Sequence, residues 1–194
     1  VLTPHAGGEK GFHFIPEVGE EVLVGFEGGN AERPFVMGAL YTGSNSPGGW
    51  KTEKNDIKAI RTRSGHTLSF SDEDGKESIT ISDKNGNTII LDTAEKGIVI
   101  NAPETITMAS KEINIQASET INIEGTNNVN VKSQEILNDG SAKVIVNSAA
   151  KVEVGAPSTL VEGKAELKMN GAMVDVNGTA MTNVKGGLLN LNCG

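Results

Sequence analysis

From Ile98 to Asn192 one pattern of apolar and polar positions recurs: two large apolar residues bracket a single, usually polar one, and a small residue follows two places later. The units are Ile98, Ile100, Ala102; Ile106, Met108, Ser110; Ile113, Ile115, Ala117; Ile121, Ile123, Gly125; and Val129, Val131, Ser133. After a blurred stretch at EILNDG they resume with Val144, Val146, Ser148; Val152, Val154, Ala156; Leu167, Met169, Gly171; and Val174, Val176, Gly178. The first five units start at residues 98, 106, 113, 121 and 129, a beat of seven or eight that makes the stretch an internal repeat. A spacing of i, i+2, i+4 is the strand period, so the large pair and the small residue share one side. Asn114, Asn122, Asn130, Glu153, Lys168 and Asp175 take the other side. The period excludes a helix and predicts strands with one dry and one wet face.

Eight residues cannot enclose a core alone, since a strand of about five residues is only roughly 17 Å long and the remainder allows just a corner. The dry side must be closed by something else. A single-chain parallel β-helix is one solution, but its rungs are longer, and its hexapeptide form beats at six. The other is three copies of the chain wound about one axis, each giving one short strand to each face of a triangular prism. The large pairs then fill the middle, the small residues sit at crowded corners, and each octad advances the prism by one strand spacing of about 4.8 Å. The pairs from Ile98 and Ile100 to Val174 and Val176 are therefore the expected trimer core.

Ahead of the repeat the pattern is all-β. Val22, Val24 and Phe26 alternate with polar or small residues, GGNAERP forms a turn, and Phe35 to Tyr41 reads as a second apolar strand. SNSPGGWKTEKND, from Ser44 to Asp56, is a linker by its Ser, Pro, Gly and charge content, with Trp50 expected to anchor it to a neighbouring surface. Strands follow around Ile57 to Arg63, Thr67 to Phe70, Ser78 to Ser82 and Thr88 to Leu91, with tight turns at Asp74-Gly75 and Asn85-Gly86.

Composition narrows the function. With 24 Gly among 194 residues, 4% aromatic and 37% hydrophobic, the chain is poor in the bulky residues of a globular core, which suits an elongated repeat. Its net charge of −8, tripled in a trimer, argues against sequence-independent nucleic-acid binding, which needs clustered Lys and Arg. One cysteine, Cys193, allows no intrachain disulfide. No run of about 18 apolar residues is present to span a bilayer as a helix, nor a basic-then-apolar leader. The start at VLTPHAGG, without Met, reads as a fragment of a longer polypeptide.

Candidate chemistry is sparse. His5, His13 and His66 have no second His or Cys at metal-ligand spacing. The turn Asp72, Glu73, Asp74, Gly75 opens like a calcium loop but lacks its later ligands and closing Glu, leaving a solvated hairpin turn. Ser64 and His66 share no strand face with an orienting carboxylate. Cys193 reads as a small filler residue. The expectation is a non-enzymatic chain without cofactor or metal; an enzyme on a β-solenoid would show a carboxylate or basic cluster on a groove.

The front segment IPEVGEEVLVGFEGG with ERPFVMGALY, then TRSGHTLSFSDEDGKESITISDKNGN, then the octads, resembles the C-terminal part of VgrG, the spike of bacterial type VI secretion. It is similar also to the needle of contractile phage tails. The resemblance covers nearly the whole chain. It implies an all-β fold in which residues 1–43 are the C-terminal part of an OB-fold domain, 44–56 a linker, 57–97 a β-meander connector and 98–194 a triple-stranded β-helix needle built by three chains. It also implies a base domain and two barrel strands upstream, a membrane-puncturing function, and an Hcp-type tube beneath. Further implied partners are effector proteins, transient contact with a target membrane, and a PAAR-type cap on the C-terminal tip. Leu188, Leu189 and Leu191, after Gly186 and Gly187, are the expected cap-binding residues. The resemblance places assembly in the bacterial cytoplasm and export through the apparatus. A passive trimeric adhesin or tail-fibre stalk would carry the same repeat, but has no need of the OB-like front.

Overall fold

The computed structural model describes residues 1–188. It is all-β, its only helical pieces among those residues being two short 3-10 turns, Glu27–Gly29 and Gly48–Trp50. Contacts divide the chain into two units, Val1–Glu119 and Thr120–Gly194.

The front of the first unit holds two hairpins. The smaller pairs β1 (Ala6–Gly7) with β2 (Lys10–Gly11), turning through Gly8 and Glu9, whose φ is 56°. The larger pairs β3 (Val22–Phe26) with β4 (Pro34–Ala39), with a register shift after Leu23. Gly25 lies under the Phe35 ring: a Cβ there would stand 2.8 Å from Phe35 Cζ, so a bare backbone is what lets the ring cross the strand. The Leu2 N–H donates to Val36 O at 2.6 Å, tying the chain's beginning to β4.

A five-stranded antiparallel meander follows, β5 (Ile57–Arg61), β6 (Thr67–Ser71), β7 (Ser78–Ser82), β8 (Thr88–Asp92) and β9 (Gly97–Asn101), in sequential order. Its turns fall where the Gly and Asp signals predict them. Gly75 has φ 74° and Gly86 φ 92°, left-handed values that suit a residue without Cβ. The β7–β8 turn is closed by Asp83: Oδ1 accepts the N–H groups of Asn85 (2.8 Å) and Asn87 (3.0 Å), and Oδ2 accepts the Asn87 side-chain amide (2.7 Å). That amide, with the three turn N–H groups, holds the Asp83 carboxyl below its ordinary value. In the β6–β7 turn the Glu73 carboxylate, bonded at 2.6 Å, raises the Lys76 ammonium above its ordinary value.

From residue 103 to 188 no segment has a ladder partner among the described residues, yet the backbone keeps a beat. Bends begin at 103, 111, 118, 126, 134, 141, 149, 157, 164, 172, 179 and 187. Each begins just after a small residue: Ala102, Ser110, Ala117, Gly125, Ser133, Gly140, Ser148, Ala156, Gly163, Gly171, Gly178 or Gly186. Sequence reading by large pairs found nine of these twelve corners. The missing three close Ile136, Asn138, Gly140; Thr159, Val161, Gly163; and Thr182, Val184, Gly186. Each carries one polar residue where the other units have a large apolar one, which hid it. The blurred stretch keeps the beat, and Gly186 is the twelfth corner of an unbroken series.

Corner glycines answer to space. Gly125, Gly140, Gly163 and Gly178 all lack the positive φ of the meander's turn glycines, but a Cβ at Gly140 would lie 2.8 Å from Lys143 O, and one at Gly178 2.7 Å from Met181 O. Serine corners add a hydroxyl that caps the bend: Ser148 Oγ accepts from Ala150 N–H (3.3 Å) and Lys151 N–H (3.1 Å), and Ser110 Oγ from Glu112 N–H (2.9 Å).

Candidate assembly interface

The meander's ladder sorts its side chains into two faces. Ile60, Leu68, Ile81, Ile89 and Ile100 stand opposite one another across the five strands, and a parallel row runs Lys58, Phe70, Ile79, Leu91, Ile98. Nine of these ten residues are apolar. The opposite face reads Ala59, Ser69, Thr80, Ile90, Val99 and Arg61, Thr67, Ser82, Thr88, Asn101, largely polar. Lys58 sits at the edge of the dry face and turns its ammonium outward, to Asp72 Oδ2 and Asn55 O, both at 2.7 Å.

Nothing among the described residues covers the dry face. A groove of about 620 Å³ opens on it, lined by Ile60, Leu68, Ile81, Ile89, Ile100 and Ile106, with Phe14 of the front segment at its side. Among the described residues no apolar side chain is buried; Thr67, on the wet face, is the one buried residue, at 8% exposure. Its hydroxyl accepts from Arg61 Nε at 3.0 Å, and the Arg61 guanidinium lies 5.0 Å from the centre of the Trp50 ring. That contact ties the linker to β5, as expected of Trp50.

The expected core residues show the same exposure along the repeat, in a regular order. From Ile106 on, the first residue of each recognised pair is 47–57% exposed and the second 63–75%. Ile136 (52%) falls in the first class, Val161 and Val184 (both 66%) in the second, which assigns the three overlooked units in register. β9 belongs to both patterns: it closes the meander's sheet on β8, and its Ile98 and Ile100 are the first octad pair. Its other edge has no partner among the described residues, and such an edge is a template for another chain.

Other candidate residues fall apart. His5 and His13 flank the small front hairpin, while His66 stands in the β5–β6 turn, its N–H on Thr62 Oγ1 at 3.2 Å. Among the described residues no group of three or more His, Cys, Asp or Glu could hold a metal ion, and no helix is long and apolar enough to cross a membrane. Leu188 lies in the twelfth bend, 87% exposed; Leu189, Leu191 and Cys193 lie outside the described residues.

Comparison with known proteins covers parts of the chain. Residues 1–41 match the type VI secretion system/phage-baseplate injector OB domain family. The actin cross-linking toxin VgrG1 of Vibrio cholerae is 35% identical to the chain over 79 residues. The chain is VgrG-like. The shared stretch is 38% of this VgrG-like chain and 7% of the toxin, so the chain spans a small part of that relative's length. The two front hairpins thus belong to the segment matching an injector OB domain, and the open dry face of the meander follows directly behind it.

Proposed function

We propose that the chain is the shaft-bearing part of a homotrimeric spike, in which three copies close each other's dry faces and form a triple-stranded β-helix at the tip of a contractile injection apparatus. One observation carries this reading: among the described residues the apolar rows of the meander and the large residues of the octads are all left uncovered. Burying it stabilises an assembly by about 25 cal/mol for each Å² of apolar surface removed from water, and three-fold winding also pairs the backbone groups the octads leave open. The front match favours a spike over a passive stalk, because a stalk has no use for an injector OB domain.

In this reading the net charge of −8 per chain keeps the outer faces hydrated, and interwound strands without a free lateral edge resist separation under thrust. The OB-like front would connect to a base domain and an Hcp-type tube, and the far end, beginning with Leu188, would seat a PAAR-type cap. Effectors would ride on this assembly, which forms in the bacterial cytoplasm and leaves through the apparatus. The role is mechanical, and the toxin's cross-linking activity is not carried over to a chain matching 7% of it. Native mass spectrometry tests the proposal: a trimer is expected, and a stable monomer at micromolar concentration overturns it.

A further inference from the structure

The three units that break the apolar rule do so at regular intervals. Their polar residues, Asn138, Thr159 and Thr182, stand in the sixth, ninth and twelfth units, on the side the large pairs occupy elsewhere. Their corners Gly140, Gly163 and Gly186 are 23 residues apart, three units each time. In the sixth and ninth units the outward middle position is also apolar, with Leu137 and Leu160 81% and 85% exposed. Simple loss of apolar character would not place these exceptions three units apart, and three units bring a chain once round a three-sided prism.

Resting on the trimeric reading, we infer that Asn138, with Thr159 and Thr182, sets the register in which three copies of the chain align. The remaining units carry Ile, Val, Leu or Met at both inward positions, so one chain can slide along its own path by a whole octad and meet almost the same apolar neighbours. Slippage is the hazard of any uniform repeat. Asn138 removes that freedom. In register, three Asn138 side chains meet at one level, each with an amide donor and a carbonyl acceptor to exchange. After a slip of one octad the displaced amide faces Val131 or Val146 of its neighbours and loses its partners, a loss paid in full inside an apolar core. Thr159 and Thr182 repeat the device further along with a hydroxyl each. A single buried polar residue fixes alignment in other apolar assemblies by the same physics.

A cross-link reads the register directly. In the full-length chain with Cys193→Ser, Asn122→Cys puts one thiol on the outward face of the fourth unit. In register the three thiols lie on three different faces and cannot join. A chain slipped by one octad brings its thiol onto the strand next to another's, about 4.8 Å away, within the roughly 4.4–6.8 Å Cα separation a disulfide accepts. Trimers isolated by size and mildly oxidised should give no disulfide dimer in this parent. A dimer band should emerge once Asn138→Val, Thr159→Val and Thr182→Val are added, and vanish again when Val154→Asn supplies a new polar level. Trimers of the triple variant without cross-links overturn the inference, as does a parent that cross-links or a triple variant that no longer forms trimers. A monomeric parent overturns the trimeric reading itself, and the inference falls with it.

Discussion

Residues 57–101 and residues 103–188 are written in the same alternating pattern, yet only the first find strand partners among the described residues. In the meander, turns such as Asn85-Gly86 reverse the chain within a few residues, so each strand pairs with the next and Ile60, Leu68, Ile81, Ile89 and Ile100 line up across five strands. In the octads the punctuation is one small residue with negative φ, which bends the chain without reversing it. Turn chemistry, more than hydrophobic pattern, thus decides whether a strand is completed by its sequence neighbour. Neither region covers its dry face.

The sharpest way to break the comparison is to charge the octads. In the proposed trimer, Ile115→Asp with Ile123→Asp would set three pairs of carboxylates on the three-fold axis, where burial costs several kcal/mol per ion. The trimer should be lost, as read by native mass, while the meander's β signal in circular dichroism survives on its intrachain ladder. A folded trimer of unchanged thermal midpoint would remove those positions from the core.

Hydrogen exchange tests the same difference on the intact protein. If the octads pair as proposed, their amides from Ile106 to Val184 should lose protection together on dilution towards dissociation, whereas amides of β6 to β8 keep theirs. Uniform loss across both regions would mean that the meander, too, depends on its neighbours for its ladder.

Much of this was legible in the residues, for physical reasons that differ along the chain. β6 and β7 are the most readable meander strands because alternation and left-handed Gly turns agree at both their ends, and Ser78–Ser82 matches the expectation to the residue. The octads were readable only where both inward positions were large. Asn138, Thr159 and Thr182 defeated that criterion, while the corner residue, Ala, Ser or Gly without exception, would have found all twelve. The front hairpin at Ala6–Gly7 and Lys10–Gly11 left no apolar trace, being two residues a side and wholly exposed. The dual membership of β9 is hidden because one alternating run belongs both to the meander sheet and to the octad series.

Glycines sharpen the contrast at smaller scale. Gly86 is needed for its φ of 92°, Gly140 for the 2.8 Å approach of Lys143 O to a would-be Cβ. Asn tolerates left-handed backbone better than Ala does, so Gly86→Asn should be milder than Gly86→Ala, the latter costing about 1 kcal/mol. At Gly140 the order should invert, because Ala already serves the equivalent corners Ala102, Ala117 and Ala156 and Asn adds bulk. Thermal midpoints of the four variants settle it, and the same order at both sites would dissolve the distinction.

Acid should separate the two regions last and least. The meander's β7–β8 turn hangs on a group that titrates, Asp83, whereas the octad corners at Ser110 and Ser148 are capped by hydroxyls that do not. Because hydrogen bonds from Asn87 and the turn N–H groups depress the folded-state value of Asp83, its contribution is fully present above the unfolded value of about 3.9. It is lost as pH falls through the lower, folded value. Amide exchange in the β7–β8 turn should therefore quicken below about pH 4 relative to the corners, after correction for intrinsic rates. Asp83→Asn keeps an acceptor but removes the charge, so the variant should start with a looser turn at neutral pH and show no further loosening in acid. Equal acid sensitivity in wild type and variant would mean that the carboxylate does not hold the turn.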